Sequence, residues 1–76
     1  MDKYETFLID YISEHSGLEY SYIDTDVDMF ENNYIDSIGI FTLLIEIENK
    51  FSKEITLEDI SSLEKYNIKN ISKLMI

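Results

Sequence analysis

Apolar residues recur with a helical period at several places along this 76-residue chain and lose that period over one long stretch. Tyr4, Phe7, Leu8, Tyr11 and Ile12 stand at i, i+3, i+4, i+7 and i+8, which is one face of a 3.6-residue repeat. Asp2 with Glu5 three residues on has the form of a capping box, and Gly17 suits the residue just past a helix C-terminus. Residues 18–36 show no sustained period; Leu18, Ile23, Val27, Phe30 and Ile35 are the candidates to pin that loop to a core. A short turn of helix is expected at Met29-Phe30-Glu31 and a turn at Asn32-Asn33.

The pattern returns strongly at Ser37. Asp36 has the chemistry of an N-cap, and SIGIFTLLIEIENKF follows as a helix to about Phe51. Its residues Ile40, Leu43, Leu44, Ile47 and Phe51 form one stripe for the core. Ile38, Phe41 and Ile45 form a second, rotated by roughly 100°. A helix in so small a domain needs only one apolar stripe, so either the preceding loop covers the second or it faces a partner. Gly39, in the first turn, costs about 1 kcal/mol against alanine, and a small side chain there would let another molecule approach the helix start. Thr56 with Asp59 predicts a capping box for a short helix from Leu57 to about Leu63, with Leu57 and Ile60 inward. Asn67 then caps a final helix whose stripe is Ile68, Ile71, Leu74 and Met75. With no strand-like alternation and no proline, the fold class is all-α: a small four-helix bundle with three longer helices, one short one and a long first loop, in a single domain over 1–76.

Charge sharpens this picture. Acids outnumber bases sixteen to six, for a net charge of −10, and the excess is uneven. Residues 16–36, the approach to Ser37, carry six acids and no base, whereas 52–76 balance. Such a field repels nucleic acid and anionic membranes and steers the chain toward basic protein surfaces. No apolar run is long enough to span a bilayer and the N-terminus lacks a signal-peptide pattern, so the expectation is a cytoplasmic protein without membrane insertion, and a monomer.

Little intrinsic chemistry is available. There is no cysteine, which excludes thiol chemistry and thiolate metal sites from the polypeptide itself. Asp24, Asp26 and Asp28 open like a calcium loop, but the sixth position is Met29 where glycine is needed and the twelfth is Ile35 where glutamate is needed. His15 is the only histidine and has no catalytic partner in its sequence neighbourhood. The expectation is a non-enzyme with no metal site. What remains is a serine at a helix N-terminus, where free N–H groups and the dipole suit a phosphodiester.

The stretch Asp28-Met29-Phe30-Glu31 through Asn33-Tyr34-Ile35-Asp36-Ser37-Ile38-Gly39 resembles the phosphopantetheine attachment motif of acyl and peptidyl carrier proteins. LLIEIENKF (43–51) resembles the second helix of that family, and ITLEDI (55–60) its short third helix, so the likeness runs through nearly the whole chain. It implies an acyl-carrier-type bundle in which Ser37 bears a covalent phosphopantetheine arm from coenzyme A. A separate phosphopantetheinyl transferase would attach it with magnesium. Asp36 would be the motif acid, serving as helix cap and transferase contact. Ile38, Phe41, Ile45 and Glu48 match partner-facing positions. The implied function is to hold an acyl or aminoacyl group as a thioester and shuttle it from an adenylating or other loading enzyme to acyl-transferring or tailoring enzymes with basic docking patches. Fatty-acid, polyketide, nonribosomal-peptide and D-alanyl carriers share this role. Asn33 stands where the family commonly has glycine, and Thr42 where fatty-acid carriers place an acid. With Phe41, that tilts the likeness toward D-alanyl carriers and stand-alone carriers of specialised pathways. The alternative is an unmodified acidic helical adaptor that docks a partner through Ile38, Phe41 and Ile45.

Overall fold

A side chain caps the N-terminus of each of the four α-helices in the computed structural model, which describes residues 2–76. Helix α1 spans Lys3–Ser16; the Asp2 carboxylate accepts the Glu5 N–H at 2.8 Å, and Gly17 ends it at φ 80° with its N–H on the Ser13 carbonyl. Helix α2 spans Ser37–Phe51, α3 Leu57–Ser61 and α4 Ile68–Leu74, with a 3₁₀ turn at Tyr20–Tyr22 in the long loop. No strand occurs among the described residues, and the expected all-helical bundle is what forms.

The core is built from the periodic positions. Leu8 and Ile12 of α1, Leu43 and Ile47 of α2, and Ile68 and Ile71 of α4 are essentially inaccessible to solvent, and α1 packs directly on α4. Ile9 is buried as well, so the inward face of α1 is wider than its single stripe. Phe51 closes one end of the bundle against Tyr4 and Phe7, with ring centroids 5.3 and 5.1 Å away.

The short helix departs from expectation. Its capping box forms as read, Thr56 and Asp59 bonding each other's backbone N–H. It ends at Ser61, before Leu63, and Ile55 and Ile60 are buried while Leu57 is 47% exposed. Five residues make little more than one turn, too little for a stripe; Ile55, just outside the helix, takes the inward place expected of Leu57.

The long loop is pinned by Met29. Its side chain is wholly buried; of the residues expected to pin the loop, Ile23 is buried, Leu18, Phe30 and Ile35 pack against the core while partly exposed, and Val27 is only partly buried. The Met29 N–H donates to the Tyr66 carbonyl at 2.8 Å, and its own carbonyl accepts from both Tyr34 and Ile35. The N-terminal end of α4 adds three further ties: Lys69 N–H to the Thr25 carbonyl, the Asn67 amide to the Asp26 carbonyl, and an ion pair between Lys69 and Asp26 at 3.0 Å. The Asp28 carboxylate caps the turn that follows, accepting from the N–H groups of Phe30 and Glu31. Asn33 then reverses the chain at φ 58°, the left-handed region that asparagine enters more readily than most side chains. The loop is therefore a folded element that delivers Asp36 to the start of α2.

Candidate functional site

The entry into α2 is fixed by short-range bonds. Asp36 is extended (φ −110°, ψ −178°); its carboxylate accepts the Gly39 N–H at 2.6 Å and its carbonyl accepts the Ile40 N–H at 3.0 Å. One orphan donor of the first turn is thereby satisfied, and a negative charge sits at the positive end of the helix. Ser37 is the first helical residue and is exposed, as is Asp36.

Gly39 has a different reason from the one its size suggests. A Cβ built there would lie 2.8 Å from Ile35 Cγ1 and 3.1 Å from an Asp36 carboxylate oxygen. The space is occupied by the chain's own Ile35, folded over the helix start. The glycine serves that internal close approach.

The second stripe of α2 is uncovered. Ile38 is 76% exposed, Phe41 52% and Ile45 59%, so the folded loop does not shield them. Glu48, also exposed, follows on the same side of the helix, three residues beyond Ile45. Leaving each large apolar side chain in water forgoes about 1.5–3 kcal/mol of burial. Ser37 thus stands at one end of an exposed face that runs Ile38, Phe41, Ile45 and then Glu48.

On the other side of the helix start lies an open groove of about 510 Å³ between the C-terminal half of α1 and the first turns of α2. It is lined by Tyr11, His15 and Ser16 of α1, by Asn33 to Asp36, and by Ile38, Gly39 and Thr42. Tyr11 is buried and donates its hydroxyl to the Gly39 carbonyl at 3.3 Å, tying α1 to the start of α2. Burial raises the Tyr11 pKa above its ordinary value, and the negative charges of Glu46 and Asp36 push it further in the same direction. His15 stacks on the Tyr11 ring with centroids 4.0 Å apart, and its Nδ1 lies 2.8 Å from the Tyr11 carbonyl. The histidine is therefore engaged within its own helix.

Sequence reasoning placed Asp36, Ser37 and Ile38 together but missed the groove. Tyr11 read as a core position of α1, and nothing in its spacing showed that its hydroxyl reaches a carbonyl 28 residues away. Among the described residues no group of three or more His, Cys, Asp or Glu side chains is placed to hold a metal ion, and no helix is long and apolar enough to cross a membrane. No protein-family model, curated protein or solved structure matches the chain.

Proposed function

We propose that the chain is a carrier protein that bears a phosphopantetheine arm on Ser37 and holds an acyl or aminoacyl group on the arm's terminal thiol as a thioester. The observation that carries this reading is the position of Ser37: exposed, first in α2, capped by Asp36, and adjoining an uncovered apolar face. The residues suit the group. An exposed hydroxyl is open to an external transferase, and the first-turn N–H groups and helix dipole favour a phosphodiester there. The adjacent Asp36 carboxylate offers a ligand for the magnesium that accompanies a diphosphate donor such as coenzyme A. The arm would supply the thiol that a cysteine-free polypeptide lacks.

On this reading the chain is acted upon and is not itself an enzyme. The transferase forms the new bond between the Ser37 oxygen and phosphorus, and the nucleotide part of coenzyme A leaves. Ile38, Phe41 and Ile45 supply apolar contact to partner enzymes, while Glu48 and the acidic loop steer toward basic docking patches. The uncovered stripe also fits an unmodified adaptor, which would use the same face without any arm. Intact mass after incubation with coenzyme A, magnesium and a broad-specificity phosphopantetheinyl transferase separates the two. A carrier gains one phosphopantetheine, and an adaptor gains nothing.

A further inference from the structure

Gly39 is the weakest link in the turn that presents Ser37. Glycine is a poor helix former, and the N–H groups of a first turn have no intrahelical partners, so such a turn frays unless other groups hold it. The fold grips Gly39 on three sides. The Asp36 carboxylate holds its N–H at 2.6 Å, Ile35 lies where a Cβ would come within 2.8 Å of it, and the Tyr11 hydroxyl donates to its carbonyl at 3.3 Å. Asp36 and Ile35 immediately precede the turn in the chain and can move with it. Tyr11 cannot: it stands on α1, 28 residues away, and is only 5% exposed. Of the three contacts, Tyr11 alone ties the turn to a second helix. The Thr42 hydroxyl reaches the Tyr11 oxygen from α2 and donates to the Ile38 carbonyl, so the same small network touches both residues that follow Ser37.

From these contacts we infer that Tyr11 is a positioning residue for the modification of Ser37, its hydroxyl holding the first turn of α2 closed; the inference rests on the carrier reading. Tyr11 does not touch the reacting atoms. Attack on phosphorus needs the serine oxygen in line with the departing nucleotide, and a turn that opens part of the time presents that oxygen in many directions. The effect falls on the chemical step more than on docking. Phe41, Ile45 and Glu48 lie beyond the first turn, on a stretch of α2 anchored in the core by Leu43 and Ile47, and are untouched by its opening.

The test is Tyr11→Phe, which removes the hydroxyl while keeping a ring in the core and a surface for His15 to stack on. Steady-state loading of the full chain by the transferase from coenzyme A is followed by intact mass, and amide exchange is measured on the unloaded chain. The kcat for loading should fall roughly two- to tenfold, the weight of one ordinary hydrogen bond, with KM nearly unchanged. The Gly39 and Ile40 N–H groups should exchange faster while those of Leu43 and Ile47 stay protected. Tyr4→Phe, which takes a hydroxyl from the other end of α1, should load like the wild type. A wild-type kcat in Tyr11→Phe, a change in KM alone, or an equal loss of protection at Leu43 and Ile47 overturns the positioning role and leaves the carrier reading standing. A wild type that gains no mass removes both.

Discussion

At the scale of single residues, Asp36 and Gly39 do different work within one turn of helix. Asp36 supplies the oxygen that holds the Gly39 N–H at 2.6 Å, and removing an N-cap of this type costs about 1 kcal/mol. Asp36→Ala should lower the urea midpoint accordingly, while Ser37→Ala, at an exposed position with no capping bond to lose, should leave it nearly unchanged. Gly39→Ala discriminates more sharply. Helix propensity alone expects a gain of about 1 kcal/mol. The Cβ would sit 2.8 Å from Ile35 Cγ1, so Ile35 must leave its place over the helix start, and the expected outcome is a net loss. A rise in the unfolding midpoint would show that Ile35 shifts without cost.

At the scale of elements, what could be read in advance follows the length of each periodic run. Helices α1 and α2 are fourteen and fifteen residues long, enough turns for a stripe to declare itself, and their caps at Asp2, Gly17 and Asp36 fall where side-chain chemistry placed them. The five-residue α3 repeats nothing, so Leu57 was assigned inward when Ile55 takes that role. Met29 was not legible because its burial is decided by bonds to Tyr66, Tyr34 and Ile35, not by any period. The loop still gave correct signals: Ile23 is buried and Leu18, Phe30 and Ile35 pack against the core, and Asn33 does adopt the left-handed conformation. The groove lay beyond reach because it is made by α1 and α2 meeting at Tyr11 and Gly39.

The cap of α3 also has a pH signature. The Thr56 backbone N–H, and next its hydroxyl, hold the Asp59 carboxyl below its ordinary value of 3.8. A depressed folded-state pKa contributes stability that is fully present above the unfolded value and is lost as pH falls through the folded one. Urea midpoints of the wild type and Asp59→Asn should therefore differ at neutral pH and converge in acid. A gap that persists below the carboxylate range would assign the effect to packing and not to charge.

At the scale of the molecule, a net charge of −10 sits on a body whose principal extents are 28 × 23 × 23 Å. Like charges held this close oppose folding, and salt screens them, the Debye length falling to about 3 Å at 1 M. The one ion pair found among the described residues, Lys69 with Asp26, is solvent-exposed and offsets little. Thermal stability should rise as sodium chloride is added, and a fall would mean that specific pairs outweigh the net field. On the carrier proposal, the same acidity and the uncovered Ile38, Phe41 and Ile45 would meet partners that are basic around an apolar centre.

The carrier proposal turns on one hydroxyl, that of Ser37, among eight serines in the chain. The most direct measurement is intact mass of the wild type and of Ser37→Ala after incubation with coenzyme A, magnesium and a broad-specificity transferase, with fragmentation to locate any added group. The expected result is one phosphopantetheine on the wild type, mapped to Ser37, and none on the variant. An unmodified wild type, or a variant that gains the same mass, would contradict the carrier account.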